Sequence, residues 1–129
     1  MAQVLVVDDE VKLGKLVAEA LELDGHEVAR VAGGRAALVE LARRGFDVVL
    51  TDIRMPGADG FEVLKAVKQQ APDTEVILMT AYASISKAVE AIKEGAYDYL
   101  SKPFDPDEVS LVVARALERK RLKEQTASL

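Results

Sequence analysis

Side chains that could do chemistry follow short apolar runs at several places in the 129-residue chain: Asp8, Asp9, Asp52, Thr80 and Lys102. Crowded carboxylates repel one another unless a cation lies between them, and ligands that are all oxygen suit a hard ion such as Mg²⁺. A lysine and a hydroxyl beside them can hold the oxygens of a phosphoryl group, and one of the carboxylates can attack phosphorus. These residue types therefore indicate metal-assisted phosphoryl chemistry on an aspartate.

Each of these residues also has an ordinary structural interpretation when it is taken alone. Asp8 or Asp9 could cap the first helix, and Asp52 could open a loop. Thr80 could be another cap, and Lys102 a surface charge. Their arrival at the same end of several strands favours a shared site over these separate explanations.

The elements that position these residues alternate between strand and helix. Apolar runs indicate strands at residues 4–7, 48–51 and 76–79, residues 27–31 indicate a weaker strand and residues 97–100 a fifth one, and helical periodicity follows each of them. Continuous apolar strands are typical of a parallel sheet covered on both faces, and right-handed crossovers then give a doubly wound α/β fold with five strands and five helices. Sites in such sheets form beyond the carboxyl ends of the strands.

Composition excludes several other kinds of site. The chain has no cysteine and one histidine, His26, which excludes a disulfide scaffold, a thiolate zinc site, an iron–sulfur site and a multi-histidine metal site. No apolar run approaches the roughly 20 residues of a membrane span. The first residues also lack the pattern of a signal peptide. We therefore expect a single cytoplasmic domain with no membrane contact.

Charge is distributed unevenly along the chain. The formal net charge is −5, but five basic and two acidic side chains from Arg115 onward give +3, which leaves −8 on the first 114 residues. Because these 114 residues carry so much negative charge, they should repel a polyanion. We therefore expect them not to bind nucleic acid directly. The basic end of the chain is interpreted as a solvated helix face.

Several motifs together resemble the receiver domain of two-component response regulators, over about residues 3–118. They lie at residues 4–9, 51–57, 59–60, 80–81 and 102–104. The resemblance implies a flavodoxin-like fold with strand order 2-1-3-4-5 and an extended C-terminal helix. It also implies a receiver domain at residues 1–118 and a helical extension or linker at residues 119–129.

The resemblance implies a phosphoacceptor and a set of metal ligands. Asp52 takes a phosphoryl group from the phosphohistidine of a sensor histidine kinase. Asp8, Asp9, Asp52 and the main-chain carbonyl of Arg54 hold Mg²⁺, with Mn²⁺ as a substitute. The domain then catalyses only its own phosphorylation and dephosphorylation, and is no enzyme in the usual sense.

The resemblance also assigns catalytic and switch residues. Lys102 binds the phosphoryl group, and Thr80 is both a catalytic residue and the switch hydroxyl. Tyr99 is the switch aromatic, although its spacing alone favours a half-buried aromatic on a strand. The Lys102–Pro103 peptide bond is expected to be cis.

The sequences at residues 52–57, 79–82 and 94–100 resemble the NtrC-type subgroup more closely. Receivers of this subgroup precede an ATPase domain and a DNA-binding domain in enhancer-binding activators. The resemblance therefore implies control of transcription through output domains that are attached or lost. It also implies a homodimer through the fourth helix, fifth strand and fifth helix.

Two other functions compete with a working receiver. A pseudo-receiver would keep the fold and bind partners without phosphotransfer, but every active-site position named above matches the active pattern. A phosphatase of the haloacid-dehalogenase type also uses an aspartate and Mg²⁺, and it needs an acid two residues after the nucleophile. Arg54 occupies that position here, so the phosphatase is the weaker alternative.

Overall fold

The computed structural model describes residues 2–81 and 85–128, and in them five strands alternate with five helices. The strands are β1 (Gln3–Val7), β2 (Glu27–Val31), β3 (Val48–Asp52), β4 (Glu75–Thr80) and β5 (Asp98–Ser101). The helices are α1 (Val11–Leu23), α2 (Gly34–Arg43), α3 (Gly60–Gln70), α4 (Ile85–Lys93) and α5 (Pro106–Ser128). Tyr82, part of one NtrC-type motif, and Leu129, the end of the predicted extension, lie outside the described residues.

All neighbouring strands pair in parallel, in the order β2-β1-β3-β4-β5. The predicted doubly wound α/β fold with flavodoxin-like strand order is therefore confirmed. Val7 pairs with Thr51, and Thr80 pairs with Ser101. The carboxyl ends of β1, β3, β4 and β5 consequently lie along one edge of the sheet.

Apolar side chains cover both faces of this sheet. On one face, residues of α1 and α5 such as Leu21 and Val113 pack against the sheet and are fully buried. On the other face, residues of α2, α3 and α4 pack in the same way, with Leu64 of α3 among them. Full burial of one such side chain stabilises the fold by about 1.5–3 kcal/mol. The sheet is thus a rigid base for side chains at its edge.

A side-chain cap and two glycines mark the ends of three of the helices. The Asp59 carboxylate accepts a hydrogen bond from the backbone N–H of Glu62 at 2.9 Å, and so caps the start of α3. Gly25 follows α1 and Gly95 follows α4, both with positive φ, which a residue with a side chain rarely adopts.

Among the described residues, no helix is long and apolar enough to span a bilayer.

Several boundaries differ from the sequence prediction by a residue. β4 begins at Glu75 rather than residue 76, because the Glu75 backbone N–H donates to the carbonyl of Asp47. β3 includes Asp52, and β5 begins at Asp98 rather than residue 97. The predicted extended C-terminal helix is confirmed, since α5 continues without a break to Ser128.

The basic face predicted on α5 is exposed at Arg119 and less so at Lys120 and Lys123, and all three side chains also form ion pairs that the sequence did not predict. Arg119 and Lys123 form ion pairs with Glu75, and Lys120 forms one with Asp47. Both acids lie at the amino ends of strands, at residue positions far from α5 in the sequence. Spacing within α5 alone could not indicate these partners.

Candidate functional site

The carboxyl edge of the sheet gathers most of the residues singled out from the sequence. Asp52 is the last residue of β3 and Thr80 the last residue of β4, while Asp8 follows β1 directly. These three side chains belong to residues that are only 3–6% exposed. Lys102 follows β5 after the strand's last residue, Ser101. Polar side chains so deeply buried need partners, and Lys102 supplies one.

The ammonium group of Lys102 lies at the centre of an acidic cluster. Its Nζ is 3.1 Å from Oδ2 of Asp8, 3.1 Å from Oδ2 of Asp52 and 3.4 Å from Oε1 of Glu10. The lysine side chain is itself 8% exposed, so solvent screens these contacts weakly. One cation therefore balances a group of acids that would otherwise repel one another.

Burial and neighbouring charges shift the pKa values of Asp52 and Lys102. Burial raises the pKa of Asp52, the hydrogen bond and charge of Lys102 oppose that rise, and the charges of Asp8 and Asp9 add to it. Burial alone would lower the pKa of Lys102, but its hydrogen bonds to Asp52 and Asp8 outweigh burial and raise it. The lysine thus stays cationic at neutral pH.

Carboxylate oxygens in the cluster are close enough to share one metal ion. One oxygen each from Asp8, Glu10 and Asp52 lies within 4.8 Å of the other two. Oδ2 of Asp8 is buried, and the Lys102 ammonium lies 3.1 Å from it. An all-oxygen set of this kind suits Mg²⁺ rather than a soft metal.

Glu10 was missed by the sequence interpretation, which chose Asp8 and Asp9 instead. Asp9 is exposed and does not belong to the group of three close carboxylates, although its charge reaches Asp52. Glu10 directly follows the two aspartates, and its backbone N–H donates to Oδ1 of Asp8 at 2.8 Å. The run of three acids after a buried strand was the available signal.

Neither aspartate of the pair is the N-cap of α1. Glu10 occupies the N-cap position, and its side chain makes no capping hydrogen bond. The Asp8 carboxylate instead holds the backbone of Glu10 through Oδ1 and faces Lys102 through Oδ2. A purely local capping role therefore does not account for Asp8.

The loop after β3 carries Arg54 and is held at its start. The backbone N–H of Ile53 donates to the carbonyl of Met79 at 3.1 Å, and the N–H of Gly60 donates to the carbonyl of Ile53 at 2.9 Å. Arg54 follows this fixed point and is exposed. The predicted role of its carbonyl as a metal ligand stays a prediction.

The two predicted switch residues occupy different environments. Thr80 is 5% exposed, and its carbonyl accepts a hydrogen bond from the backbone N–H of Lys102 at 2.8 Å. Tyr99 is 37% exposed and pairs across the sheet with Leu78. Thr80 is thus buried within the site, whereas the Tyr99 side chain on β5 is partly exposed to solvent. The Lys102–Pro103 peptide bond is cis.

Comparison with known proteins identifies what this arrangement resembles. The model of the family described as "Response regulator receiver domain" matches residues 4–114. Regulatory protein AtoC of Escherichia coli is 45% identical over 127 residues, which are 98% of this chain and 28% of AtoC. The DNA-binding transcriptional regulator NtrC of Salmonella typhimurium is 40% identical over 126 residues, which are 98% of this chain and 27% of NtrC.

A solved structure shows the same similarity in three dimensions. The crystal structure of NtrX from Brucella abortus in complex with ADP aligns with a TM-score of 0.92 and 39% sequence identity. The alignment covers 98% of this chain and 29% of that one. The chain therefore spans little more than a quarter of the length of these NtrC-type regulators.

Proposed function

The chain belongs to the response regulator receiver domain family, and from that membership we propose that Asp52 accepts a phosphoryl group from the phosphohistidine of a sensor histidine kinase. The observation that carries the proposal is the Lys102 ammonium, 3.1 Å from both Asp52 and Asp8. An ammonium held beside a buried carboxylate can bind the oxygens of a phosphoryl group arriving there.

The transfer exchanges one bond to phosphorus for another. A carboxylate oxygen of Asp52 forms a bond to phosphorus, the bond from phosphorus to the kinase histidine nitrogen breaks, and its electron pair stays on the imidazole. Water later attacks phosphorus, which releases inorganic phosphate and regenerates the Asp52 carboxylate. Because the donor histidine belongs to the kinase, the chain needs no histidine at its own site.

Asp8, Asp9 and Asp52, with the main-chain carbonyl of Arg54, hold Mg²⁺ in this proposal, and Mn²⁺ can substitute. The donor chemistry supports the fit, since the close carboxylate oxygens of Asp8, Glu10 and Asp52 are hard ligands. When bound, the ion neutralises negative charge on the phosphoryl oxygens. Glu10 adds one more acid whose charge favours a cation at this place.

Thr80 and Tyr99 act as the switch. Phosphorylation adds roughly −1.5 to −2 charges and new acceptor oxygens beside Thr80. The Thr80 hydroxyl turns to donate to one of them, and Tyr99 moves from its exposed position into the space left behind. The exposure of Tyr99 and the burial of Thr80 support this sequence of movements. The bistable element is the segment of α4 and β5.

The signal passes from the receiver to output domains that control transcription. By similarity to NtrC-type regulators, these are an ATPase domain and a DNA-binding domain, and residues 119–129 lead from the receiver at residues 1–118 towards them. A homodimer through α4, β5 and α5 accompanies phosphorylation. It is supported by an apolar groove of about 320 Å³ lined by Val89, Ile92 and Tyr99 among others. Val89 and Ile92 are each 46% exposed.

Treatment with acetyl phosphate and Mg²⁺ tests the proposed function. We expect intact-protein mass spectrometry to find one phosphoryl adduct, with release of inorganic phosphate above the blank as the adduct turns over. Asp52→Asn and an excess of chelator should each abolish both signals. A wild-type domain that gives neither an adduct nor phosphate release would contradict phosphotransfer and favour a pseudo-receiver.

A further inference from the structure

A buried acid lies at the amino edge of the sheet, the edge opposite the candidate site. Glu75 is the first residue of β4, and its side chain is 0% exposed. Among the described residues, three cationic groups approach its carboxylate: Lys68, Arg119 and Lys123. A buried carboxylate is costly unless cations balance it, so these contacts are needed by the fold.

The two cations from α5 are the principal partners of Glu75. Lys123 Nζ is 3.2 Å from Oε1, and Arg119 Nε is 3.4 Å from Oε2. Lys68 Nζ is farther away, at 4.0 Å, and already donates to the carbonyl groups of Pro72 and Thr74. Oε2 makes no hydrogen bond, so Arg119 balances that oxygen by charge alone. Removal of both α5 cations would leave Glu75 buried with the weakest of the three.

Apolar packing of α5 ends before these contacts begin. Val113 and Ala116 are fully buried and Leu117 is half-buried, whereas the next apolar side chain, Leu122, is 49% exposed. We call residues 118–125 the C-terminal arm. Ion pairs of Arg119 and Lys123 with Glu75, and of Lys120 with Asp47 at 3.2 Å, join the C-terminal arm to the sheet.

Arg119 also contacts the aromatic residue that directly precedes β5. Its guanidinium carbon lies 5.5 Å from the ring centre of Tyr97, which directly precedes β5. A cation over an aromatic ring at this distance is attracted to it. One arginine thus contacts the amino ends of both β4 and β5. The C-terminal arm is therefore in contact with the residue that leads into β5.

We propose that Glu75 is an anchor that fixes the direction of the C-terminal arm relative to the sheet. The arm cannot leave the sheet without breaking both of its ion pairs with Glu75, which leaves that carboxylate with Lys68 as its remaining cation. The anchor is a property of the fold itself, and it holds whether or not Asp52 is phosphorylated.

Hydrogen exchange on the whole chain tests the anchor without metal or phosphate. In Arg119→Gln/Lys123→Gln, we expect amides of the C-terminal arm to exchange about ten-fold faster or more, while amides of residues 109–117 keep their rates. The matched control is Arg115→Gln/Arg121→Gln, which removes two charges from the same helix. Arg121 pairs with Glu118 of its own helix, and Arg115 is exposed. The control should leave the exchange of the arm within about two-fold of wild type.

A stability measurement on the same variants separates an anchor from a merely basic helix. Adding Glu75→Gln to Arg119→Gln/Lys123→Gln should raise the unfolding midpoint, because it removes the buried charge that has lost its partners. Equal exchange in the two double variants would overturn the proposal. A further loss of stability on adding Glu75→Gln would overturn it as well. Neither result bears on phosphorylation of Asp52, so the two proposals stand or fall separately.

Discussion

At the scale of single residues, one lysine holds the site together. Lys102 is the cation to which Asp8 and Asp52 are both joined, and both acids are buried. The same ammonium is the group proposed to bind an incoming phosphoryl group. Lys102 therefore has a structural role and a proposed chemical role, and its substitution should affect both.

We expect Lys102→Met to lower the free energy of unfolding by about 1–3 kcal/mol in chelator, because it leaves two buried carboxylates without their cation. Added Mg²⁺ should stabilise the variant more than it stabilises wild type, because no ammonium then competes for the acids. Urea denaturation with and without Mg²⁺ measures both effects. Lys12→Met, at an exposed position of α1, is the control. A variant with wild-type stability in chelator would refute this description of Lys102.

The raised pKa of Asp52 has a consequence for stability. An acid whose pKa is higher in the folded domain than its ordinary value of 3.8 destabilises the fold when it ionises. That loss is fully present above the folded pKa and absent below the ordinary value. In chelator, the stability gained by Asp52→Asn should therefore be largest at neutral pH and shrink as pH falls. Urea titrations across pH measure it, and a gain that grows towards acid pH would contradict the direction of the shift.

At the scale of elements, the sequence predicts β1, β3 and β4 well because each contains a continuous apolar run followed by a polar residue. Asp52 and Thr80 could be assigned to one edge because parallel strands place their carboxyl ends together. Glu10 was not assigned, although it continues the run of acids after β1, and its contact with Lys102 joins residues that are 92 positions apart. Glu75 lies outside the strand predicted at residues 76–79, and its ion pairs with α5 join residues that are far apart in the sequence.

Packing of α3 against the end of β3 positions Asp52. A Cβ on Gly60 would lie 2.4 Å from the carbonyl oxygen of Asp52 and 2.8 Å from Cα of Ile53. We expect Gly60→Ala to destabilise the fold by about 1–3 kcal/mol and to slow phosphorylation, since the backbone of the phosphoacceptor must shift. Gly45→Ala, where a Cβ meets nothing within 4 Å, should change both by little. Denaturation and phosphorylation rates test this, and wild-type behaviour of Gly60→Ala would contradict it.

At the scale of the whole molecule, charge is divided between an acidic body and a basic C-terminal helix. The net charge of −5 contains the +3 of the segment from Arg115 onward. Three of these basic side chains form ion pairs with Glu75 and Asp47 of the domain, which leaves less positive charge to attract an external polyanion. This distribution agrees with a domain that acts on protein partners, and leaves contact with DNA to the proposed output domains.

Dimerisation is the property of the whole molecule that phosphorylation should change. We expect sedimentation velocity to show a larger dimer fraction after treatment with acetyl phosphate and Mg²⁺. Ile92→Asp, in the groove beside Tyr99, should abolish the increase by placing a charge in an apolar contact. Leu23→Asp, at an 89% exposed position of α1, is the matched control. A monomer in both the phosphorylated and unphosphorylated states would rule out a dimer of this chain.

Chemical mapping of the modified residue tests the central claim most directly. After treatment with acetyl phosphate and Mg²⁺, borohydride reduces an aspartyl phosphate to homoserine, which tandem mass spectrometry of the digested chain can locate. We expect homoserine at residue 52 alone, and none after treatment with chelator. Homoserine at Asp8 or Asp9, or a phosphoryl group that resists borohydride and stays on a hydroxyl such as Thr80, would contradict Asp52 as the phosphoacceptor.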